Sequence, residues 1–400
     1  MRKEIKIGMF GYGCVGQGLH DVLNCSPGFK TEIVKFCVKH KEKERRIPMH
    51  HFTFDKDDIL ENPDINLVVE LIDNAEDAYD IVTTALKKGK NVVSANKKLI
   101  AEHLEELIDI QKEHNVSLLY EASCCASIPI LRNLEEYYDN ELLTAVRGIF
   151  NGSSNYIVSK MFDKNMDYDH VLKEAQLLGF AESNPALDVE GIDAKFKLVI
   201  IIAHAYGVIL KPEQIFHFGI QNISANDIQF AKEKGCKIKL VPCAMKLDDH
   251  TFTAFVMPLM VSRGRYLYSV NNEYNGVITI GAFADKQFFF GKGAGGHPTG
   301  AAVMSDISAN TYDYKYEYKK MNQEPRLVFS PDYRLEVYMS YEDEHILEHF
   351  HFEKISERHF RGDYNYIIGI LNIKDLLRIQ DKINEWDVFI TSTGRSIDNV

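Results

Sequence analysis

Asp193 and Lys197 stand one helical turn apart in the run Ile192 to Val208, which is otherwise largely apolar and reads as a long helix. A lysine amine among apolar side chains loses solvation, which lowers its pKa, while a neighbouring carboxylate opposes that shift. Such a balanced amine can hand a proton to a developing alkoxide. The preceding loop, Gly179 to Asp188, carries two more acids, Glu182 and Asp188, which could hold the ammonium of an amino-acid substrate. The plainer account is a helix ion pair worth only about 0.3 kcal/mol. Lys97, in Ser94-Ala95-Asn96-Lys97-Lys98, sits between a strand pattern and a helix pattern, a second lysine placed for chemistry.

These groups need elements to hold them. Ile5 to Phe10 reads as a buried strand, and Gln17 to Leu23 continues with helical spacing. Between them lies Gly11-Tyr12-Gly13-Cys14-Val15-Gly16, a glycine loop with the strand and helix its chemistry requires. Such a loop turns tightly, lets backbone N–H groups approach a pyrophosphate, and packs helix on strand. Phe10, Gly11, Tyr12, Gly13, Cys14, Val15 and Gly16 are therefore expected at a dinucleotide. Strand patterns recur at Ile33–Val38, Leu67–Ile72, Asn91–Ser94 and Val116–Tyr120, with helices at Ala78–Lys88 and Leu104–His114. That alternation predicts a parallel α/β sheet with ligands at the carboxyl ends of its strands. The second strand ends in Val38-Lys39-His40-Lys41, without the acid that usually holds a ribose hydroxyl, so Lys39 favours NADP over NAD. A second glycine concentration, Gly291 to Gly300, includes Gly296 and precedes a helix-like stretch; it reads as backbone close to a ligand, returning to the nucleotide domain.

The chain has 400 residues and a formal net charge of −12, which predicts two or three domains and excludes a general nucleic-acid binder. No apolar run is long enough to span a membrane, and the chain enters a strand almost at once, so cytoplasm is expected. The seven cysteines show no zinc spacing and are expected to be reduced core residues.

Taken in order, a longer set of segments resembles homoserine dehydrogenase over roughly residues 5–310. They include Val69-Glu70-Leu71-Ile72, Val92 to Lys97, Glu121-Ala122-Ser123, Ile128-Pro129-Ile130, Asn151 to Ile157, Leu178 to Glu182, Asp188 to Ala194, Lys197 and Gly293 to Thr299. The resemblance implies reversible NAD(P)H-dependent reduction of L-aspartate 4-semialdehyde to L-homoserine, towards threonine and methionine. It assigns Lys197 as proton donor, Lys97 as its assistant at the nicotinamide, and Glu182, Asp188 and Asp193 to the substrate. Ser94 and Gly179 would touch the cofactor. Sodium or another monovalent cation would be held near Glu121 and the carbonyls of Cys124, Ala126 and Ile128. The resemblance also implies a homodimer or higher oligomer. Two segments depart from the family's glycine-rich pattern: Asp73 to Asp77, and Cys124-Cys125-Ala126-Ser127.

The expected organisation is a Rossmann domain over 1–128, completed by 291–310, and an α+β catalytic and dimerisation domain over 129–290. A linker, 311–330, leads to a ferredoxin-like, ACT-like domain over 331–400. There the strand patterns are Arg334–Met339, His349–Ile355, Tyr364–Leu371 and Val388–Thr393, with a helix at Ile373–Ile383. The turn usual after the first strand of an ACT domain is replaced by Tyr341-Glu342-Asp343-Glu344, so an effector site and a purely structural tail both stay open. No kinase-like segment is expected before the first strand. Two other functions compete: a different amino-acid oxidoreductase, which need not keep Glu182, Asp193 and Lys197 together, and a cofactor-sensing regulator, which would lack the buried lysine.

Overall fold

A computed structural model describes residues 4–26, 28, 30–140, 142–181, 184–360 and 364–395. Two compact units result, Met1–Asp139 with Ala294–Lys319, and Asn140–Gly293 with Lys320–Val400.

In the first unit, β1 (Ile5–Phe10), β2 (Thr31–Cys37), β3 (Phe52–Thr53), β4 (Leu67–Glu70), β5 (Asn91–Ser94) and β6 (Leu118–Leu119) form one sheet. Every pairing is parallel, in the order β3-β2-β1-β4-β5-β6, the doubly wound nucleotide-binding arrangement. Strands buried on both faces read as short apolar runs, which is why β1, β4 and β5 were legible. The strand order reverses between β1 and β4, so the loops after these two strands flank the crevice where such sheets bind ligands. One boundary differs from expectation. The helix predicted over Leu104–His114 begins at Lys97, because the Asn96 side chain accepts from the Leu99 N–H and starts the helix early.

The second unit holds β7 (Leu143–Ile149), β8 (Phe216–His217), β9 (Cys236–Lys246), β10 (Thr251–Ser262), β11 (Tyr274–Gly281), β12 (Asp285–Lys292), β13 (Val328–Phe329), β14 (Arg334–Tyr341), β15 (Lys354–His359), β16 (Asn365–Asn372) and β17 (Val388–Ser392). They form one mixed sheet, with β12-β11-β7-β9-β10-β17-β14-β16-β15 in sequence and β8 and β13 pairing β10. The last four strands run β17-β14-β16-β15, all antiparallel, with two short helices (Ile373–Arg378 and Gln380–Ile383) between β16 and β17. The strand predicted over His349–Ile355 is displaced to Lys354–His359. The Asp343 side chain caps the His345 N–H and winds Glu344–His349 into a 3-10 helix first. Where a full helix would stand in a βαββαβ order, only this one remains. The sheet is continuous with the rest of the unit through the Leu259–Ser392 pair of β10 and β17.

Candidate active site

The nucleotide loop is set by backbone contacts. Gly11 takes φ of +94°, donates to the Cys37 carbonyl at 3.0 Å, and has room for no Cβ, which would lie 2.6 Å from the Leu71 oxygen. Gly13, one step before the helix Cys14–Asn24, has open space where its Cβ would be, and no side chain caps that helix. The first N–H groups of the helix are thus presented to a phosphate. Phe10, Gly11, Tyr12, Gly13, Cys14, Val15 and Lys39 line one cavity of about 940 Å³, with Gly16 just behind on the helix. Lys39 is exposed and 3.7 Å from Asp77. Lys43 and Arg45 line the same cavity, and Arg45 lies over the Phe52 ring. In the sequence these two stand in Lys41-Glu42-Lys43-Glu44-Arg45-Arg46, where alternating acids mask their charge. Gly296 opens the helix Gly296–Asn310, packed where a Cβ would meet the Cys14 oxygen at 2.6 Å.

Beyond the crevice, Ser94 and Glu70 meet at the ends of two neighbouring strands. The Ser94 hydroxyl is fully buried and donates to Glu70 Oε2 at 2.6 Å, so it faces inward. Glu70, at the end of β4, also accepts from the Ile72 N–H at 2.7 Å, and its burial pushes the carboxyl up to about 7. Its folded pKa is raised, so its contribution to stability is lost as pH climbs from the unfolded carboxyl value to about 7. Glu70→Gln keeps the shape without the charge. Its melting temperature should gain on the wild type between pH 5 and 8, by at most about 3 kcal/mol in stability. Parallel melting curves across that range would show the carboxyl to be inert. Lys97, half-buried, is the first residue of its helix.

In Glu121 to Ile128, the residues expected at a cation are all buried. The Glu121 carboxylate accepts from the Leu131 and Arg132 N–H groups, each at 2.8 Å. Burial, then the nearby Asp306, pushes it up to about 8. Cys125 and Ala126 hold left-handed φ angles of 54° and 41°, a region that ordinary L-residues seldom adopt. The Ile128 carbonyl accepts the Ile130 N–H at 2.8 Å and keeps a second lone pair. A donor set of backbone oxygens suits a hard monovalent cation. Among the described residues no group of three His, Cys, Asp or Glu side chains could hold a metal.

The second unit carries the acid-base cluster. The helix Ile192–Tyr206 buries both Asp193 and Lys197. Lys197 Nζ lies 2.8 Å from Asp193 Oδ2 and donates to the Phe150 carbonyl at 2.8 Å. Asn151, absent from the sequence-based site, caps the helix Gly152–Lys164 and joins the acids. Its Nδ2 donates to Asp188 Oδ1 at 2.7 Å and to Asp193 Oδ2 at 2.9 Å. Only its place before Gly152-Ser153-Ser154 hinted at a cap. Burial, then Asp193, raises Asp188, while Asn151 and Lys197 pull it back. Glu182 lies outside the described residues. Gly179 is in the second unit, just after the helix Tyr168–Leu177, with φ of +76°. Lys239, buried and lowered to about 7, donates to Asn155 Oδ1 at 2.9 Å and the Val270 carbonyl at 2.6 Å, tying the helix Gly152–Lys164 to the loop before β11.

Comparison with known proteins bears on both units. The family model for the homoserine dehydrogenase NAD binding domain matches residues 11–121, and that for homoserine dehydrogenase matches 129–308. Homoserine dehydrogenase from Helicobacter pylori is 37% identical over 77% of this chain and 74% of its own length. That from Bacillus subtilis is 36% identical over 77% and 73%. A crystal structure of a homoserine dehydrogenase from Thiobacillus denitrificans superposes with a TM-score of 0.85 at 28% identity, covering 98% of this chain and 99% of that one. With a Rossmann sheet beneath its glycine loop, this chain belongs to the homoserine dehydrogenase family.

Proposed function

We propose that the enzyme oxidises L-homoserine to L-aspartate 4-semialdehyde, and reverses it, with NADP(H) preferred and Lys197 as the acid-base group. The observation that carries this reading is the Lys197 amine, held between the Asp193 carboxylate and the Phe150 carbonyl. Asp188, Asp193 and Lys197 together leave one net negative charge, which the substrate ammonium would balance. The nicotinamide supplies or accepts the hydride. In reduction, Lys197 gives its proton to the carbonyl oxygen as the aldehyde carbon gains the hydride. In oxidation, the neutral amine takes the hydroxyl proton back. Lys97 assists by its charge at the developing alkoxide, and Gly179 and the backbone of Ser94, whose hydroxyl is turned inward to Glu70, border the cofactor.

Preference for NADP rests on Lys39, Lys43 and Arg45 around the cavity after β2, where an acid would favour NAD. A monovalent cation such as sodium would be held by the carbonyls of Cys124, Ala126 and Ile128 beside Glu121. In support, two buried carboxyls lie there: Asp306 pairs with the Arg132 guanidinium, whereas Glu121 is held only by backbone N–H groups among the bonds described. A homodimer is supported by two exposed aromatics, Phe290 on the edge strand β12 and Phe283 in the turn before it. The reaction places the enzyme in threonine and methionine synthesis. The cytoplasm suits its free cysteines. Strand order β17-β14-β16-β15 supports an ACT-like tail, whose effector role threonine titration of the full chain would test.

Initial rates of homoserine oxidation with NADP and NAD, in sodium and in potassium, test the cofactor reading. A kcat/KM at least about tenfold higher with NADP is expected, from one lost charge-assisted phosphate contact. An equal or better rate with NAD would remove the role given to Lys39.

A further inference from the structure

Around the Lys197 amine runs a closed ring of hydrogen bonds, and Asn151 is its one neutral side chain. We propose that Asn151 is a positioning residue: its amide clamps Asp188 and Asp193 together, so that Asp193 in turn aims Lys197. The inference rests on the reading of Asp188, Asp193 and Lys197 given above.

The orientation of the amide follows from its own cap. Oδ1 accepts from the Ser154 N–H at 2.8 Å, so Nδ2 must face the carboxylates. A flipped amide would lose that bond and set an oxygen against two carboxylates. Both hydrogens of Nδ2 are then used, one on Asp188 and one on Asp193. Asp193 Oδ2 receives Lys197 Nζ as well, and Nζ also reaches the carbonyl of Phe150. Phe150 is bonded to Asn151, so the ring closes through the backbone. Asn151, Asp193 and Lys197 are all buried, where a hydrogen bond is stronger and a missing one costs more. No other uncharged side chain of this length supplies both a cap acceptor and two donors.

Removing the two donors has a predictable sign. Among the described residues, the charged groups facing Asp188 are Asp193 and Lys197, from the helix Ile192–Tyr206; the start of the helix Gly152–Lys164 contributes Ser153 and the capping Asn151. Without the amide, two carboxylates repel with less compensation, and Asp188 holds its proton to higher pH. The acid limb of kcat/KM for homoserine should therefore move upward.

Asn151→Ser and Asn151→Asp test this, because both new side chains still accept at a helix N-terminus. For Asn151→Ser in the full-length enzyme, kcat/KM for homoserine should fall about 10- to 100-fold, the loss of hydrogen bonds to charged groups. The acid limb should rise and the melting temperature fall, because two buried bonds are lost, while the NADP dissociation constant stays near wild type. Asn151→Asp adds a third carboxylate and should lose more activity. A folded variant of either kind with wild-type kcat/KM and an unmoved pH profile overturns the proposal. Should Asn151→Ser not fold, Asn151→Asp supplies the reading. An inactive wild-type enzyme, or a fully active Lys197→Arg, would instead remove the site reading beneath it.

Discussion

Lys197→Ala should lower kcat by about 10²- to 10⁴-fold, the usual worth of a positioned general acid, and leave the NADP dissociation constant within about twofold. The asymmetry follows from placement. Lys197 belongs to the second unit, whereas the glycine loop and the cavity beside it belong to the first. The amine is buried against Asp193, so its removal also strands a carboxylate, which can cost about 3–5 kcal/mol of stability. Lys197→Arg separates the two effects. A guanidinium keeps the charge beside Asp193 but does not release its proton in the working range, so folding survives and turnover does not. Unchanged turnover in Lys197→Ala would end the assignment.

Gly18→Ala should destabilise the first unit by about 3 kcal/mol and weaken NADP binding with it. The helices Cys14–Asn24 and Gly296–Asn310 cross so closely that a Cβ on Gly18 would lie 2.1 Å from the Gly296 oxygen. That neighbour is backbone and cannot rotate away, so the helices must separate. The helix propensity gained by alanine, about 1 kcal/mol, offsets only part of the strain. Separation also shifts Cys14, whose carbonyl packs on Gly296, and with it the start of the phosphate-facing helix. Thermal unfolding and NADP titration of the variant measure both effects; a melting temperature equal to wild type would show that the crossing can relax.

Gly18 also illustrates what the sequence conveyed and what it did not. The concentration of glycines at Gly291–Gly300 points to close backbone approach, and Gly296 and Gly300 lie against the helix of the nucleotide loop. Composition shows that close approach is needed, not what is approached. The parallel sheet was legible because β1, β4 and β5 are apolar runs bounded by turn residues. β3, two residues long, carries no periodicity to detect. The continuity of β10 with β17 depends on one pair more than 130 positions apart, beyond any local pattern.

The site divides in the same way. Asp193 and Lys197 are four positions apart on a helix, so their pairing is local and could be read directly. Asn151 meets Asp188 and Asp193 across 37 and 42 positions, and Glu70 meets Ser94 across 24. Such contacts exist only once β7 has delivered Asn151 to the helix and once β4 and β5 lie side by side. The left-handed angles at Cys125 and Ala126 show a similar limit. Neither residue type favours positive φ, so nothing in the residues themselves announces that conformation.

The central claim is that this chain performs hydride exchange on homoserine through the Lys197 cluster. Homoserine-dependent reduction of NADP by the purified full-length enzyme tests it most directly. The account predicts saturable NADPH formation with L-homoserine that is lost in Lys197→Arg. No reduction of either NADP or NAD by the wild type, in sodium or potassium, would contradict it.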